Sequence, residues 1–174
     1  MSRIYTIGHS THDPETFASL LARNGVELLA DVRHHPGSRH VPWTNPGSIE
    51  AALPVPYTHI VELGGRRRPR PGSPNDFWRN AAFRGYADYM DSEGFAAGLE
   101  RLLVVAEGSV AIMCAEAQWW RCHRRLIADA LVARGSDVVH IDSRGGTEMH
   151  RLTDAAVVED GRIVYPAQRD RLGP

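Results

Sequence analysis

The sequence predicts a single α/β domain spanning 1–174, in which helices flank a mostly parallel sheet and a β-hairpin lies near the carboxyl terminus. The 174 residues have the length of one ordinary domain, and 43% of them are hydrophobic, enough to form a core. A strand–helix–strand pattern occurs near the start and again over 110–141, and such units place their strands in parallel. An Asp-Gly pair between apolar residues at 157–164 is a hairpin signal.

The first unit begins with an apolar strand at 4–7. Asp13 and Pro14 predict the start of a helix, because Asp is a preferred N-cap and Pro suits the first helical position. The near-continuous apolar run at 26–32 is typical of a strand buried on both faces. These two strands are therefore expected to be parallel neighbours or near neighbours in one sheet.

The middle of the chain is rich in proline and predicts shorter elements. We expect a short helix at 46–53, a strand at 57–61 and helices at 75–90 and 95–107. Between them, the arginine- and proline-rich segment 64–74 has little to bury, which predicts an exposed, mobile loop.

The second unit follows as a buried strand at Val110–Cys114, a helix at 122–134 and a strand at 138–141. No window of about 18 apolar residues occurs, so we expect no membrane partner. The first residues lack the pattern of a signal peptide, which predicts a cytoplasmic protein.

The charges are balanced overall but concentrated in places. The formal net charge is −1, which is unlike a general polycation, and all 20 basic residues are Arg. A GC-rich genome explains the absence of Lys, but it does not explain where the arginines lie. Many of them lie in loops near predicted strand ends, and the Arg fork binds phosphate or carboxylate in a bidentate manner.

Polar residues follow three of the predicted strands directly, at 8–11, 31–39 and 114–125. Ligands of open parallel sheets bind beyond the carboxyl ends of the strands, so these stretches predict a site. The candidate catalytic residues are Cys114 as nucleophile or redox thiol, His9 or His123 as general acid or base, and Glu116 and Asp31 as carboxylates. The candidate substrate-binding residues are Ser10, Thr11, Arg33, Ser38, Arg39, Glu62, Trp119, Arg121 and Arg124.

These roles have plainer alternatives. Cys114 could be an inert core thiol, and Asp31 could pair with Arg33 instead of reacting. Trp119 and Trp120 could stack on a nucleic-acid base or simply pack.

We predict no cofactor or metal, because two thiols cannot complete a zinc site. The alternative is a zinc ion held by Cys122, His123 and His9. It is awkward because adjacent residues on a helix point about 100° apart.

The layout of strand, Cys114, loop, Arg and helix resembles that of rhodanese-like sulfurtransferases and cysteine phosphatases. The phosphatase spacing would require Arg at position 120, where this chain has Trp120. The sequence therefore departs from the phosphatase pattern.

Several motifs together also carry a family resemblance. They are Tyr5-Thr6-Ile7-Gly8-His9-Ser10, Asp31-Val32-Arg33 with Pro36 and Ser38-Arg39, Glu62-Leu63-Gly64-Gly65, the stretch from Tyr86 to Met90, Cys114-Ala115-Glu116 and Cys122-His123-Arg124. As a set, they resemble the domain of unknown function 488 family from about residue 4 to 141 and into the tail at 165–166. The resemblance implies a compact α/β domain of the bacterial and archaeal cytosol, and it implies no established reaction.

We therefore expect an enzyme of hydrolase, lyase or transferase type whose pocket binds an anionic small molecule, a nucleotide or nucleic acid. One alternative is rhodanese-like sulfur transfer through a Cys114 persulfide. The other is a nucleic-acid-binding module without enzymatic activity that uses the arginines of 66–70. The sequence does not indicate which oligomeric state the protein adopts.

Overall fold

A six-stranded sheet forms the centre of the computed structural model, which describes residues 3–167. The strand order is β3-β2-β4-β1-β5-β6. The first five strands in chain order are parallel: β1 (Arg3–Gly8), β2 (Leu28–Asp31), β3 (Tyr57–His59), β4 (Val110–Cys114) and β5 (Asp137–Ile141). At one edge, β6 (Thr147–Met149) pairs antiparallel with β5, and the predicted hairpin forms from β7 (Val157–Glu159) and β8 (Arg162–Val164). The predicted fold class is confirmed.

Helices cover both faces of this sheet. They are α1 (Pro14–Arg23), α2 (Ser48–Ala52), α3 (Ala81–Tyr89), α4 (Glu93–Val105) and α5 (Arg124–Ala133). One apolar core joins α1 and α2 to the sheet through residues such as Phe17, Ile49 and Met113. The other lies beneath α3, α4 and α5 and includes Leu99 and Ile127. Within residues 3–167, no helix is long and apolar enough to cross a membrane.

Two predictions from local sequence are confirmed, the N-cap of α1 and the turn of the hairpin. The Asp13 carboxylate accepts a hydrogen bond from the Thr16 amide at 2.7 Å, which confirms the N-cap of α1. In the hairpin, Asp160 and Gly161 have φ angles of 50° and 76°, as a tight turn between two antiparallel strands requires.

Several predicted boundaries are shifted, and one strand was not predicted. The helix expected over 75–90 begins only at Ala81, because Asn80 caps it there through a side-chain hydrogen bond to the Ala82 amide at 2.8 Å. The helix expected from residue 122 begins at Arg124, after a short 3-10 turn at Trp119–Arg121. Strand β6 was not expected, since all three of its residues are exposed and show no apolar alternation.

The arginine- and proline-rich segment 64–74, which we predict as an exposed, mobile loop, packs against α3. The Arg67 guanidinium lies 3.7 Å from the centre of the Tyr89 ring, and the Arg70 amide donates to Asp88 Oδ2 at 2.9 Å. A Cβ at Gly85 would lie 2.2 Å from the Arg67 carbonyl oxygen, so glycine permits this approach. The segment still exposes three arginines, which are Arg66, Arg68 and Arg70.

Candidate active site

The carboxyl ends of β1 and β4 meet where the strand order changes direction. From β1 the chain crosses to β2 on one side, whereas from β4 it crosses to β5 on the other, and ligand crevices occur at such points. Gly8 pairs with Cys114 at this edge. A Cβ at Gly8 would lie 1.9 Å from the Glu116 carbonyl oxygen, so only glycine allows the two loops to approach this closely. The loop after β1 therefore packs directly against the loop that follows Cys114.

Two free thiols face each other beside this edge. The Sγ atoms of Cys114 and Cys122 lie 3.2 Å apart, and Cys114 Sγ also lies 3.7 Å from the Glu116 carbonyl oxygen. The sulfur of Cys122 accepts hydrogen bonds from Arg124, from the backbone N at 3.3 Å and from Nε at 3.3 Å. Cys122 is therefore surrounded by donors, while the Cys114 thiol has acceptors for its proton.

These contacts separate the ionisation of the two sulfurs. Burial opposes ionisation of Cys122, but the hydrogen bond from Cys114 and the charge of Arg124 outweigh it and lower the pKa of Cys122 to about 5. Burial raises the pKa of Cys114 well above its ordinary value, and the hydrogen bond to Cys122 raises it further. These shifts favour a thiolate at Cys122 and a thiol at Cys114, which is the predicted nucleophile.

Both sulfurs line an open cavity of about 230 Å³. Its wall consists of Arg33, His34, His35, Gly65, Arg66, Cys114, Ala115, Glu116, Cys122 and His123. The wall contains two arginines, Arg33 and Arg66, and one carboxylate, Glu116. Four of the predicted site residues lie here, namely Cys114, Glu116, His123 and Arg33.

Two histidines of the cavity wall have nitrogen atoms suited to a substrate. His123 Nε2 lies 2.7 Å from the Val32 carbonyl oxygen and donates to it, which leaves Nδ1 as an acceptor facing Gly65. Burial is the main cause that lowers the pKa of His123, so the ring is neutral. His34 Nδ1 is buried without a hydrogen-bond partner. Burial and then the neighbouring charges of His35 and Arg67 lower the pKa of His34 as well.

Arg33 reaches the cavity wall but is committed to other residues. Its Nη2 contacts Asp31 Oδ2 at 2.7 Å and the Thr44 carbonyl oxygen at 2.7 Å, and its Nε contacts Asp31 Oδ1 at 3.0 Å. Its Nη1 points to Thr44 Oγ1 and to His9 Nε2. Tyr57 Oη donates to the same carboxylate at 2.6 Å. Asp31 therefore pairs with Arg33, as the plainer alternative held, and does not face the cavity.

His9 does not line the cavity either. Its Nδ1 lies 2.9 Å from the Ser10 carbonyl oxygen and its Nε2 accepts from Arg33, while burial is the main cause that lowers its pKa. The amides of His9 and Ser10 donate to the carbonyls of Cys114 and Ala115, so these two amides are not free to bind an anion.

The remaining predicted binding residues are dispersed around the molecule. Ser38 Oγ accepts from the Val41 amide, Glu62 pairs with Arg101 at the surface at 3.5 Å, and Trp119 stacks on His140 with ring centres 4.0 Å apart. The others lie outside the cavity wall and are exposed or half-buried, namely Ser10, Thr11, Arg39 and Arg121. Trp120 is 45% exposed.

Arg124 is fully buried and begins a chain of hydrogen bonds, which we call the buried polar chain. It consists, in order, of Arg124, Thr6, His140, His150 and Asp129. Arg124 Nη1 donates to Thr6 Oγ1 at 3.2 Å, and Thr6 Oγ1 lies 2.6 Å from His140 Nδ1. His140 Nε2 lies 2.9 Å from His150 Nδ1, and His150 Nε2 lies 2.8 Å from Asp129 Oδ1. All five residues are buried.

Sequence reasoning missed most of this chain. Thr6 and His140 are 134 residues apart, and no local pattern connects them. Arg124 was expected to grip phosphate, but its side chain is buried, and Nη2 donates to the Glu116 carbonyl oxygen. A signal for Cys122 was available, because a thiol beside a helix amino terminus tends to have a low pKa.

The alternative zinc site is not assembled. Among residues 3–167, no group of three or more His, Cys, Asp or Glu side chains is placed to hold a metal ion. His123 Nε2 is occupied by Val32, and His9 lies outside the cavity wall that contains Cys122.

The comparison with known families covers the motifs from Asp31 to Arg124 but not the motif at 5–10. The family described as Domain of unknown function DUF488 matches residues 13–131, more than half of the chain. No curated protein and no solved structure matches the chain. The matched part contains β2, β4 and both thiols. The chain belongs to the DUF488 family.

Proposed function

We propose that the protein is an enzyme that binds an anionic substrate in the cavity lined by Cys114 and Cys122, and attacks it with the Cys122 thiolate. The observation that carries this proposal is the contact of Cys122 Sγ with Cys114 Sγ at 3.2 Å and with Arg124 Nε at 3.3 Å. A cationic donor stabilises the thiolate, which is the reactive form of cysteine. The open cavity gives a substrate access to it.

The neighbouring thiol points to dithiol–disulfide exchange as the reaction. Cys122 Sγ attacks one sulfur of a substrate disulfide, so a mixed disulfide forms and the other substrate sulfur leaves as a thiolate. The proton of Cys114 then passes to a leaving thiolate, and Cys114 Sγ attacks Cys122 Sγ. A Cys114–Cys122 disulfide forms, and the second half of the substrate leaves as a thiolate, which takes a proton from water according to its own pKa. A thiol reductant restores the dithiol by the reverse exchange.

The same proximity argues against storage of a Cys persulfide, as in a rhodanese-like transfer. A second thiol at 3.2 Å would attack the sulfur of Cys122 and expel the outer sulfur as hydrosulfide. Free thiols also agree with the reducing cytoplasm that the sequence predicts.

The cavity favours a small substrate or a single anionic group of a larger one. Its volume of about 230 Å³ is small, and Arg66 is an exposed cation on its wall. A phosphate of a nucleotide or a carboxylate would satisfy it. Nucleic-acid binding through 66–70 has less support, because Arg67 is stacked on Tyr89 and held by the Gly64 carbonyl oxygen.

Three model disulfides test the proposal: dithiodipropionate, which is a dianion, neutral hydroxyethyl disulfide, and the dication cystamine. The reduced protein is expected to release two thiols from dithiodipropionate and to form the Cys114–Cys122 disulfide, measured by mass spectrometry. Cys114→Ser is expected to stop at a mixed disulfide on Cys122, and Cys122→Ser is expected not to react. A Cys122→Ser protein that reacts as fast as the parent contradicts the proposal.

Charge selectivity tests the anion pocket separately. The dianion is expected to react faster than cystamine, on the order of tenfold, because the positive charge of Arg66 attracts an anion to the cavity and repels a cation. Arg66→Gln is expected to reduce this ratio, since Arg66 lines the cavity. Arg68→Gln is the matched control, because Arg68 is exposed on the same segment but is not part of the wall. Equal rate ratios in the parent protein, Arg66→Gln and Arg68→Gln would exclude Arg66 as an anion-binding residue.

A further inference from the structure

The buried polar chain connects the cation at Cys122 to a buried carboxylate at Asp129. Arg124 can only donate, so Thr6 Oγ1 accepts from it and turns its own proton toward His140 Nδ1. His140 Nε2 and His150 Nδ1 share the next hydrogen bond, and His150 Nε2 donates to Asp129 Oδ1, since a carboxylate only accepts. The hydrogen bonds therefore run without a break from the Arg124 guanidinium to the Asp129 carboxylate.

One observation concerns His140 in the middle of this chain, and another concerns its far end. Burial, followed by the charges of His150 and Arg124, lowers the pKa of His140 to about 2. At the far end, Asp129 Oδ1 also accepts from the Thr153 amide, and Oδ2 accepts from Tyr165 Oη at 2.8 Å. The carboxylate is thus held in place independently of the two histidines.

A buried network of this size is costly for stability alone. Polar groups withdrawn from water gain little over well-packed apolar residues, even when every hydrogen bond is made. A chain of five buried polar residues is therefore poorly explained as a packing device. At one end of the chain, Arg124 contacts the sulfur of Cys122 through Nε, and Cys122 lines the cavity.

We propose that Thr6, His140, His150 and Asp129 are positioning residues, which hold the Arg124 guanidinium in the orientation that directs Nε to Cys122. The inference rests on the proposed role of Cys122 as the nucleophile. Thr6 fixes Nη1, while the Glu116 carbonyl oxygen fixes Nη2, so the planar guanidinium has Nε left for the sulfur. Loss of the Thr6 hydroxyl removes the acceptor of Arg124 Nη1, so the guanidinium is held less firmly and the hydrogen bond from Nε to Cys122 weakens.

The readout is the pH dependence of iodoacetamide alkylation at Cys122, followed by peptide mass spectrometry. Several charged or titratable groups face this sulfur or line its cavity, and all are unchanged in the variants proposed below: Cys114, His123, Tyr86, Arg33, Arg66, His34, His35 and Glu116. In the parent protein, we expect half-maximal reactivity near pH 5. Loss of one charge-assisted hydrogen bond is expected to raise this midpoint by about one pH unit.

Four variants separate positioning from general destabilisation. Thr6→Val and Asp129→Asn are expected to raise the midpoint, whereas Thr6→Ser keeps the hydroxyl and is expected to restore the parent value. Tyr165→Phe removes a different buried hydrogen bond to Asp129 and is the matched control, with lower stability but an unchanged midpoint. Thermal unfolding of each variant checks that the alkylated protein is folded.

The possible outcomes distinguish the two proposals. A parent midpoint near 5 with no shift in Thr6→Val overturns the positioning role and leaves Cys122 as the nucleophile. Equal shifts in Thr6→Val and Tyr165→Phe also overturn it, because destabilisation alone would then move the midpoint. A parent midpoint near the ordinary cysteine value of about 8.5 overturns the proposed function itself.

Discussion

Replacement of Arg33 by Met is expected to lower the free energy of unfolding by about 3–5 kcal/mol, because the Asp31 carboxylate would remain buried without its cation. The Asp31 side chain is 0% exposed and that of Arg33 is 6% exposed, so solvent cannot compensate for the loss. Met replaces much of the apolar volume of Arg but none of its donors. Tyr57 Oη and the Arg33 backbone amide would be the donors left to Asp31.

Urea unfolding, followed by tryptophan fluorescence, measures this change. Arg101→Met is the control, since Arg101 and Glu62 form an ion pair at 3.5 Å with side chains 47% and 37% exposed. Exposed pairs contribute about 0–1 kcal/mol, so the control is expected to change stability by less than that. Adding Asp31→Asn to Arg33→Met is expected to recover part of the loss, because the unpaired charge is removed.

A loss below about 1 kcal/mol for Arg33→Met would refute this reasoning. It would mean that Arg33 is not committed to Asp31 and has hydrogen-bond donors free for a substrate. The anion pocket would then contain two arginines with that role, Arg33 and Arg66.

Three further predictions concern packing, capping and pH. Gly8→Ala is expected to cost about 1–3 kcal/mol and to slow alkylation of Cys122, because its Cβ would meet the Glu116 carbonyl oxygen; melting and alkylation rates measure both. Ser92→Ala removes the N-cap of α4 and is expected to cost about 1 kcal/mol in urea unfolding, with Ser92→Asp as the control that keeps a cap. His140 has a pKa of about 2 in the folded protein against about 6.5 unfolded, so its contribution to stability is present above pH 6.5 and is lost as the pH falls. His140→Gln is expected to reduce the slope of stability against pH between 6 and 4 by about 1.4 kcal/mol per unit, and an unchanged slope would contradict a neutral buried imidazole.

Local chemistry predicted the elements that neighbouring residues determine. The N-cap at Asp13, the buried strand at Val110–Cys114 and the turn at Asp160-Gly161 follow from short-range geometry, and each is confirmed. The parallel sheet also followed, because two strand–helix–strand units impose it.

The remainder depends on contacts between distant parts of the chain. Residues 75–79 do not form helix because Asn75 hydrogen-bonds to Asp88 and to the Tyr165 amide, 90 positions away. The pairing of Thr6 with His140 likewise has no local signal. At the site, Cys114 and the cavity edge could be predicted, but the donors that distinguish Cys122 become visible only after folding.

The contact between Tyr165 and Asp129 has a consequence for the order in which the protein is made. The ribosome synthesises the amino end first, so Cys114 and Cys122 emerge before His150 and Tyr165. Until those later residues dock, Asp129 lacks two of its donors and Arg124 lacks its distal support. Under the proposed function, the support of Arg124 at Cys122 is therefore complete only after the segment that contains His150 has been translated and has folded.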